Sequence, residues 1–183
     1  EPYKPLFKLE TIDGKLPTFS SVGKVYFVEI NKSRLLEFER IKTRAKILGF
    51  MEEPVRVDDQ TLKFTSSLIA ADMTVNLISG SFNYYYDWTS DEALQKPGSL
   101  PTKEQAILEA KALLQNMNLL AKDLADGDAK VTFLKTTGTT LVPALAFSEA
   151  KFIRVDLYRA PKDDLKIATI KGEESPIYII FSG

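Results

Sequence analysis

The sequence predicts an α+β protein with two tandem α-β-β-β units, each an antiparallel sheet covered by one helix. Three observations favour this class. A helical spacing of apolar residues occurs twice, about 65 positions apart, and short β-branched and aromatic segments follow each occurrence. The connections between those segments are short, which favours antiparallel pairing. The composition, 44% hydrophobic and 27% charged over 183 residues, is ordinary for a globular chain.

The order of these segments divides the chain into four parts. We expect an N-terminal extended segment or linker over residues 1–23, a first α+β unit over 24–90, a linker over 91–101 and a second α+β unit over 102–183. Pro2 and Pro5 oppose helix formation at the start. Because the chain begins without Met, we also expect that a tag, signal peptide or membrane anchor has been removed from it.

The first unit begins with a strand and a helix. Residues 24–30, KVYFVEI, are β-branched and aromatic and predict a strand. Residues 34–48 predict a helix whose apolar side includes Ile41 and Ala45, with Gly49 placed to end it in a left-handed conformation. Asn31–Ser33 supplies candidate N-cap residues.

Three strands are predicted after this helix, over residues 61–65, 73–78 and 81–88. Ser79 and Gly80 lie between the second and third, where glycine permits the positive φ of a tight hairpin. The third strand is rich in aromatic residues. Its period of two places one set on a single face: Phe82, Tyr84, Tyr86 and Trp88.

The second unit opens on a helix with a capping box, in which Thr102 is the N-cap and Gln105 follows three residues later. Four strands are predicted after it, over residues 131–135, 141–147, 152–158 and 177–181. Pro143 has no amide hydrogen to donate, so we expect its strand to lie at a sheet edge or to contain a bulge.

The aromatic strand is the candidate binding site. Tyr and Trp join apolar area to a polar group and are enriched at recognition surfaces, so Tyr84, Tyr86 and Trp88 are the predicted binding residues. Two structural alternatives remain open. The same face could be part of the core beneath a helix, and Trp88 could pack between the two units.

Composition excludes several kinds of chemistry. The chain has no Cys and no His, so disulfides, thiol nucleophiles and imidazole ligands or bases are excluded. A net charge of -1, from 24 basic and 25 acidic residues, is unlike a nucleic-acid-binding protein. Adjacent acidic pairs such as Asp58-Asp59, Asp163-Asp164 and Glu173-Glu174 fall in predicted loops, where solvation is the usual state. We therefore predict no catalytic residue, no metal site and no cofactor.

Two segments resemble a known family. The helix opening at residues 102–107, TKEQAI, with Ala110, and the hairpin at residues 74–82, TVNLISGSF, are similar to those of PepSY-type extracytoplasmic domains and of the YycI-type accessory proteins that regulate membrane histidine kinases. The resemblance implies a non-catalytic domain outside the cytoplasm, held by an N-terminal membrane anchor, that binds a protein or a cell-envelope component.

The expected function is therefore that of a non-enzymatic extracytoplasmic binding or regulatory domain, tethered to the membrane only through the removed N-terminal segment. Its expected partner is a protein or a cell-envelope component, with no role for nucleic acid. Two alternatives stay open. One is a carbohydrate- or small-ligand-binding module that uses the aromatic strand, and the other is a hydrolase that relies on carboxylates alone.

Overall fold

The computed structural model describes residues 10, 11, 14, 15, 18, 23, 25, 35–95, 98–167 and 174–183. The chain forms two compact units, Glu1–Ile30 and Asn31–Gly183. In the first unit, the Gly14 amide donates to the Thr11 carbonyl at 3.2 Å and closes a turn. Two predictions fall outside the described residues. One is the strand over residues 24–30, of which only Val25 is described, and the other is the N-cap at residues 31–33.

The second unit begins with a helix and a four-stranded sheet. Helix α1 (Leu35–Ile47) is followed by β1 (Val55–Arg56), β2 (Thr61–Thr65), β3 (Ala71–Asn76) and β4 (Phe82–Tyr86). Each strand pairs antiparallel with the next, in the order β1-β2-β3-β4. The sequence does not predict β1, because two residues are too few to show a period. The α+β class and the antiparallel pairing are confirmed.

One face of this sheet packs against α1. Burial alternates strictly along β3, because successive side chains point to opposite faces. In the first core, the buried side of α1 and Phe50, three residues beyond the helix, pack against the inner residues of β2 and β3. Its members include Ile41, Ala45, Phe50, Leu62, Phe64, Met73 and Val75.

Two glycines lie where the sequence predicts a reversal of the chain. Gly49 has φ 92° at the end of α1, and the Phe50 amide then donates back to the Ala45 carbonyl at 3.0 Å. Gly80 has φ 69° between β3 and β4, and its amide donates to the Asn76 carbonyl at 2.9 Å. The helix end predicted at Gly49 is confirmed, because this conformation favours a residue without Cβ. Gly80 also has the expected positive φ, but β3 ends at Asn76 and β4 begins at Phe82, so the two-residue turn predicted between strands over 73–78 and 81–88 is wrong.

The aromatic strand is shorter than predicted. Strand β4 ends at Tyr86, and Trp88–Ser90 forms a 3₁₀ turn, so the prediction that Trp88 lies on the strand is wrong. The Asp87 side chain accepts from the Thr89 amide at 3.2 Å and from the Ser90 hydroxyl at 2.6 Å. This local capping ends the strand. A one-turn helix, α2 (Glu92–Gln95), follows.

A longer helix and a second sheet complete the unit. Helices α3 (Lys103–Asn116) and α4 (Lys122–Ala125) precede β5 (Ala129–Thr137), β6 (Thr140–Pro143), β7 (Phe152–Leu157) and β8 (Tyr178–Ser182). The strands are antiparallel in the order β6-β5-β7-β8. Within the described sheet β6 is an edge strand, as Pro143 predicts. The extension of that strand to Phe147 is wrong, because Phe147–Glu149 is a 3₁₀ turn.

The second core lies between α3 and the inner face of this sheet. The buried side of α3 meets alternate residues of β7, and one residue of α4 closes the cluster. Its members include Ala106, Ala110, Leu114, Leu124, Ile153, Val155 and Leu157.

Candidate binding surface

The face that carries the predicted binding residues is the inner face of the first sheet. In the β3–β4 register, Phe82, Tyr84 and Tyr86 pair with Val75, Met73 and Ala71, all of which are buried. Phe82 and Tyr86 pack against the first core. The face predicted as a binding platform is therefore partly core, which is one of the two structural alternatives that the sequence leaves open.

Tyr84 is the member of this face that reaches solvent. It is 42% exposed, because β4 is an outer strand of the described sheet. Its ring lies 5.9 Å from the ring of Phe50, centroid to centroid, at an interplanar angle of 73°. Partial burial raises the pKa of the Tyr84 hydroxyl. The buried Phe50 ring thus supports a tyrosine whose other side is available for contact.

Tyr85 lies between Tyr84 and Tyr86 in β4 and therefore points to the opposite face of the sheet. It is 64% exposed, more than Tyr84, and it pairs with Asp72 of β3. Asn83 is exposed on the same face, and the Asp72 carboxylate lies 3.1 Å from Nζ of Lys63. Groups that donate and accept hydrogen bonds therefore lie on the same sheet face as Tyr85. The period of two locates this face, but it does not reveal that the ring is exposed.

Tyr86 uses its hydroxyl inside the fold. The hydroxyl donates to Oδ2 of Asp91 at 2.5 Å. This hydrogen bond raises the pKa of Tyr86 and lowers the pKa of Asp91. The contact fastens the end of β4 to the segment that precedes α2, so the polar group of Tyr86 is already engaged.

Trp88 contacts the second sheet. Its ring lies 5.5 Å from the ring of Phe152 on β7, in an edge-on arrangement with an interplanar angle of 64°. Tyr84, Tyr86 and Trp88 therefore do not form one platform. Tyr84 and Tyr85 are the exposed aromatic pair of β4, while Trp88 lies where the two sheets meet.

The acidic pairs that the sequence singles out lie at the surface where the structure describes them. Asp58, Asp59, Asp163 and Asp164 are exposed. Among the described residues, no group of three or more Asp or Glu side chains could hold a metal ion. Glu173 lies outside them.

Hydrogen bonds and ion pairs lower the pKa of every described carboxyl whose shift is resolved. The Asp123 carboxylate, for example, accepts from Nη1 of Arg159 at 2.6 Å, and this hydrogen bond is the main reason that the pKa of Asp123 is lowered. The carboxyls with a lowered pKa are Glu52, Asp58, Asp87, Asp91, Asp123 and Glu149. A carboxyl that donates a proton in glycoside hydrolysis needs the opposite shift.

Comparison with known proteins finds no relative of this chain. No protein-family model, no curated protein and no solved structure matches this chain. Among the described residues, no helix has both the length and the apolar character to cross a membrane.

Proposed function

We propose that this chain is a non-enzymatic binding or regulatory domain that acts through a protein or a cell-envelope partner. Its contact surface is the exposed part of β4, centred on Tyr84 and Tyr85. The main observation in support is that one short strand exposes tyrosine rings on both faces of a sheet.

Tyrosine is suited to this role for a physical reason. Its ring buries a large area while immobilising only two side-chain dihedral angles, so the entropy lost on binding is small. Tyr84 loses still less side-chain entropy on binding, because the edge-on contact with Phe50 already restricts its ring. Tyr85 adds a neighbourhood of charged and amide groups that can define the orientation of a partner.

We further propose that residues 24–90 and 102–183 are related α-β-β-β units, and that the domain is extracytoplasmic and membrane-tethered, as the PepSY-like resemblance implies. Two four-stranded antiparallel sheets, each preceded by a helix that contributes to its core, support the tandem arrangement. The sheets differ in strand order, which is consistent with an elaborated second unit.

Site-specific photocrosslinking tests the contact surface. A photoreactive phenylalanine analogue at position 85 is exposed to solubilised cell envelope, and the same analogue at Leu108, which is 68% exposed on α3, is the matched control. We expect one discrete crosslinked species from position 85 only, and its loss when Tyr84→Ala is added. Equal crosslinking from both positions would contradict the proposal.

A carbohydrate ligand is the second candidate, favoured by the hydrogen-bonding groups around Tyr85. A sugar ring would stack on Tyr85 while Asn83 and Asp72 bind its hydroxyls. Titration with cell-wall oligosaccharides followed by NMR tests this candidate. Shifts of the Asn83 and Tyr85 amides that Tyr85→Ala abolishes would support it, and unchanged spectra would eliminate it.

A further inference from the structure

Strand β4 has an edge that pairs with no other strand in the described part of the chain. On its paired side, the Asp87 amide donates to the Ala70 carbonyl at 2.7 Å. Hydrogen-bonded pairs alternate along an antiparallel ladder, so Asn83 and Tyr85 also bond to β3. The intervening residues turn their amide and carbonyl groups away from β3, and they are Phe82, Tyr84 and Tyr86.

This edge lacks the features that usually prevent the addition of another strand. Exposed edges are commonly protected by proline, by charged side chains, by a bulge or by short length. The opposite edge of the first sheet, β1, has only two residues and includes Arg56. The β6 edge of the second sheet ends at Pro143. β4 has five residues without proline or charge, and its register with β3 is continuous.

The sequence of β4 is complementary to itself. A two-fold axis at Tyr84, perpendicular to the sheet, places Tyr84 opposite the same residue of a second copy and Phe82 opposite Tyr86. These aromatic pairs lie on the inner face, and aromatic cross-strand pairs stabilise a sheet. On the outer face Asn83 lies opposite Tyr85. In this register each outward amide of one copy meets an outward carbonyl of the other.

Within the described sheets, β8 is also an edge strand without proline or charge, but it lacks this complementarity. The bond from the Leu157 amide to the Ile177 carbonyl, 2.9 Å long, fixes the direction of its backbone groups. Its outward residues are Tyr178, Ile180 and Ser182. A two-fold axis at Ile180 would place the Tyr178 ring opposite the small polar Ser182. Self-pairing therefore favours β4.

We propose that two copies of this chain pair antiparallel along β4, about a two-fold axis at Tyr84, so that their first sheets join into one. The proposal rests on the contact surface proposed above and names a second copy as its protein partner. The Tyr84 ring, 42% exposed in one copy, is then covered by the same ring of the other. Five residues a side make a small interface, so we expect a dimer that dissociates on dilution.

Amide hydrogen exchange followed by NMR tests where the two copies meet. In the monomer, the outward amides of Tyr84 and Tyr86 have no acceptor in the described part of the chain, whereas the amides of Asn83 and Tyr85 are bonded to β3. We expect protection of the two outward amides to rise at least about tenfold between about 10 µM and about 1 mM protein. Protection of these amides that does not change with concentration would overturn the proposal.

Opposite charges at the two-fold axis distinguish self-pairing from other contacts. In Tyr84→Lys, and likewise in Tyr84→Glu, the new charge faces the same charge of the second copy. We expect the dissociation constant of each variant, measured by analytical ultracentrifugation, to rise at least about tenfold above that of the parent protein. An equimolar mixture of the two variants should restore association, because an ammonium group then faces a carboxylate.

Ile180→Lys is the matched control. Ile180 is also an outward residue of a neutral edge strand, and its exposure, 38%, is close to that of Tyr84. We expect this variant to dimerise as the parent protein does. A mixture of the two Tyr84 variants that associates no better than either alone would overturn the proposal.

Two further points keep the test decisive. If the substitutions at Tyr84 prevent folding, as circular dichroism would show, the exchange measurement on the unsubstituted protein decides the proposal by itself. A parent protein that stays monomeric at about 1 mM rejects the dimer. Ultracentrifugation contains this chain alone, so that result is distinct from a failure of position 85 to crosslink to an envelope component.

Discussion

At the scale of the residue, Asp156 on β7 is the charged side chain whose burial most needs an explanation. It is 4% exposed, and Arg154 holds it through Nε at 3.1 and 3.0 Å and through Nη2 at 2.7 Å. The guanidinium carbon of Arg154 lies 4.1 Å from the ring centroid of Tyr178 on β8. The hydrogen bonds to Asp156 are the main reason that the pKa of Arg154 is raised. A buried carboxylate is tolerated here because it is fully paired.

Asp156→Asn tests this pairing. The substitution keeps the shape and removes the charge, so a largely buried guanidinium loses its ionic partner. We expect the free energy of unfolding to fall by about 3 kcal/mol, measured by urea denaturation. The control Asp164→Asn, at an exposed position, should change it by less than about 0.5 kcal/mol. Equal effects of the two substitutions would contradict the assigned role.

At the scale of the element, α3 is stabilised at its first turn by side chains that the sequence identifies. The Thr102 amide donates to Oε1 of Gln105 at 2.9 Å, and the Gln105 amide donates to Oγ1 of Thr102 at 3.3 Å. These two bonds complete the predicted capping box. Since α3 supplies one side of the second core, the loss of this cap affects the sheet as well as the helix.

Thr102→Ala tests the cap. It removes the side-chain acceptor and leaves the Gln105 amide without it, so we expect a loss of about 1 kcal/mol in the free energy of unfolding. Thr139→Ala, in the exposed turn between β5 and β6, is the matched control and should be close to neutral. Urea denaturation followed by far-UV circular dichroism measures both. A loss for Thr139→Ala as large as for Thr102→Ala would argue against a specific cap.

The features that sequence predicts well are those set by a few neighbouring residues. The positive φ at Gly80, the helix end at Gly49 and the cap at Thr102 each depend on chemistry within four or five positions. The sequence places Trp88 on the strand because an alternating pattern alone does not show where a strand ends. In the structure, the Asp87 side chain caps the next turn, and the strand ends before it. The exposure of Tyr85 and the burial of Asp156 depend on what packs against each face, which alternation along one strand cannot reveal.

At the scale of the whole molecule, the absence of His leaves a gap between the acidic pH range, in which carboxyls titrate, and the alkaline range, in which tyrosine titrates. The lowered pKa values of carboxyls such as Asp123 and Glu149 contribute stability that is present above the unfolded pKa, near 4, and is lost as the pH falls through the folded pKa. The raised pKa of Tyr86 acts in the opposite range, with stability lost as the pH rises above about 10. Between these ranges no side chain of ordinary pKa titrates.

We therefore expect a flat pH profile of thermal stability. The melting temperature should change by less than about 2 °C between pH 6 and pH 8 and should fall below about pH 4. Calorimetry across this range measures the profile. A slope between pH 6 and pH 8 would indicate a carboxyl with a raised pKa, which a hydrolase relying on carboxylates requires.

The pairing of each first-sheet strand with its neighbour in the chain has a consequence for how the protein is made. β1 pairs with β2, β2 with β3 and β3 with β4, so each pairing closes only a short loop and loses little chain entropy. Pairings of this kind form early, and a nascent polypeptide generally folds from its N-terminal side. We expect the first sheet to assemble on the ribosome before β5 is synthesised, so that the second sheet folds beside a finished surface.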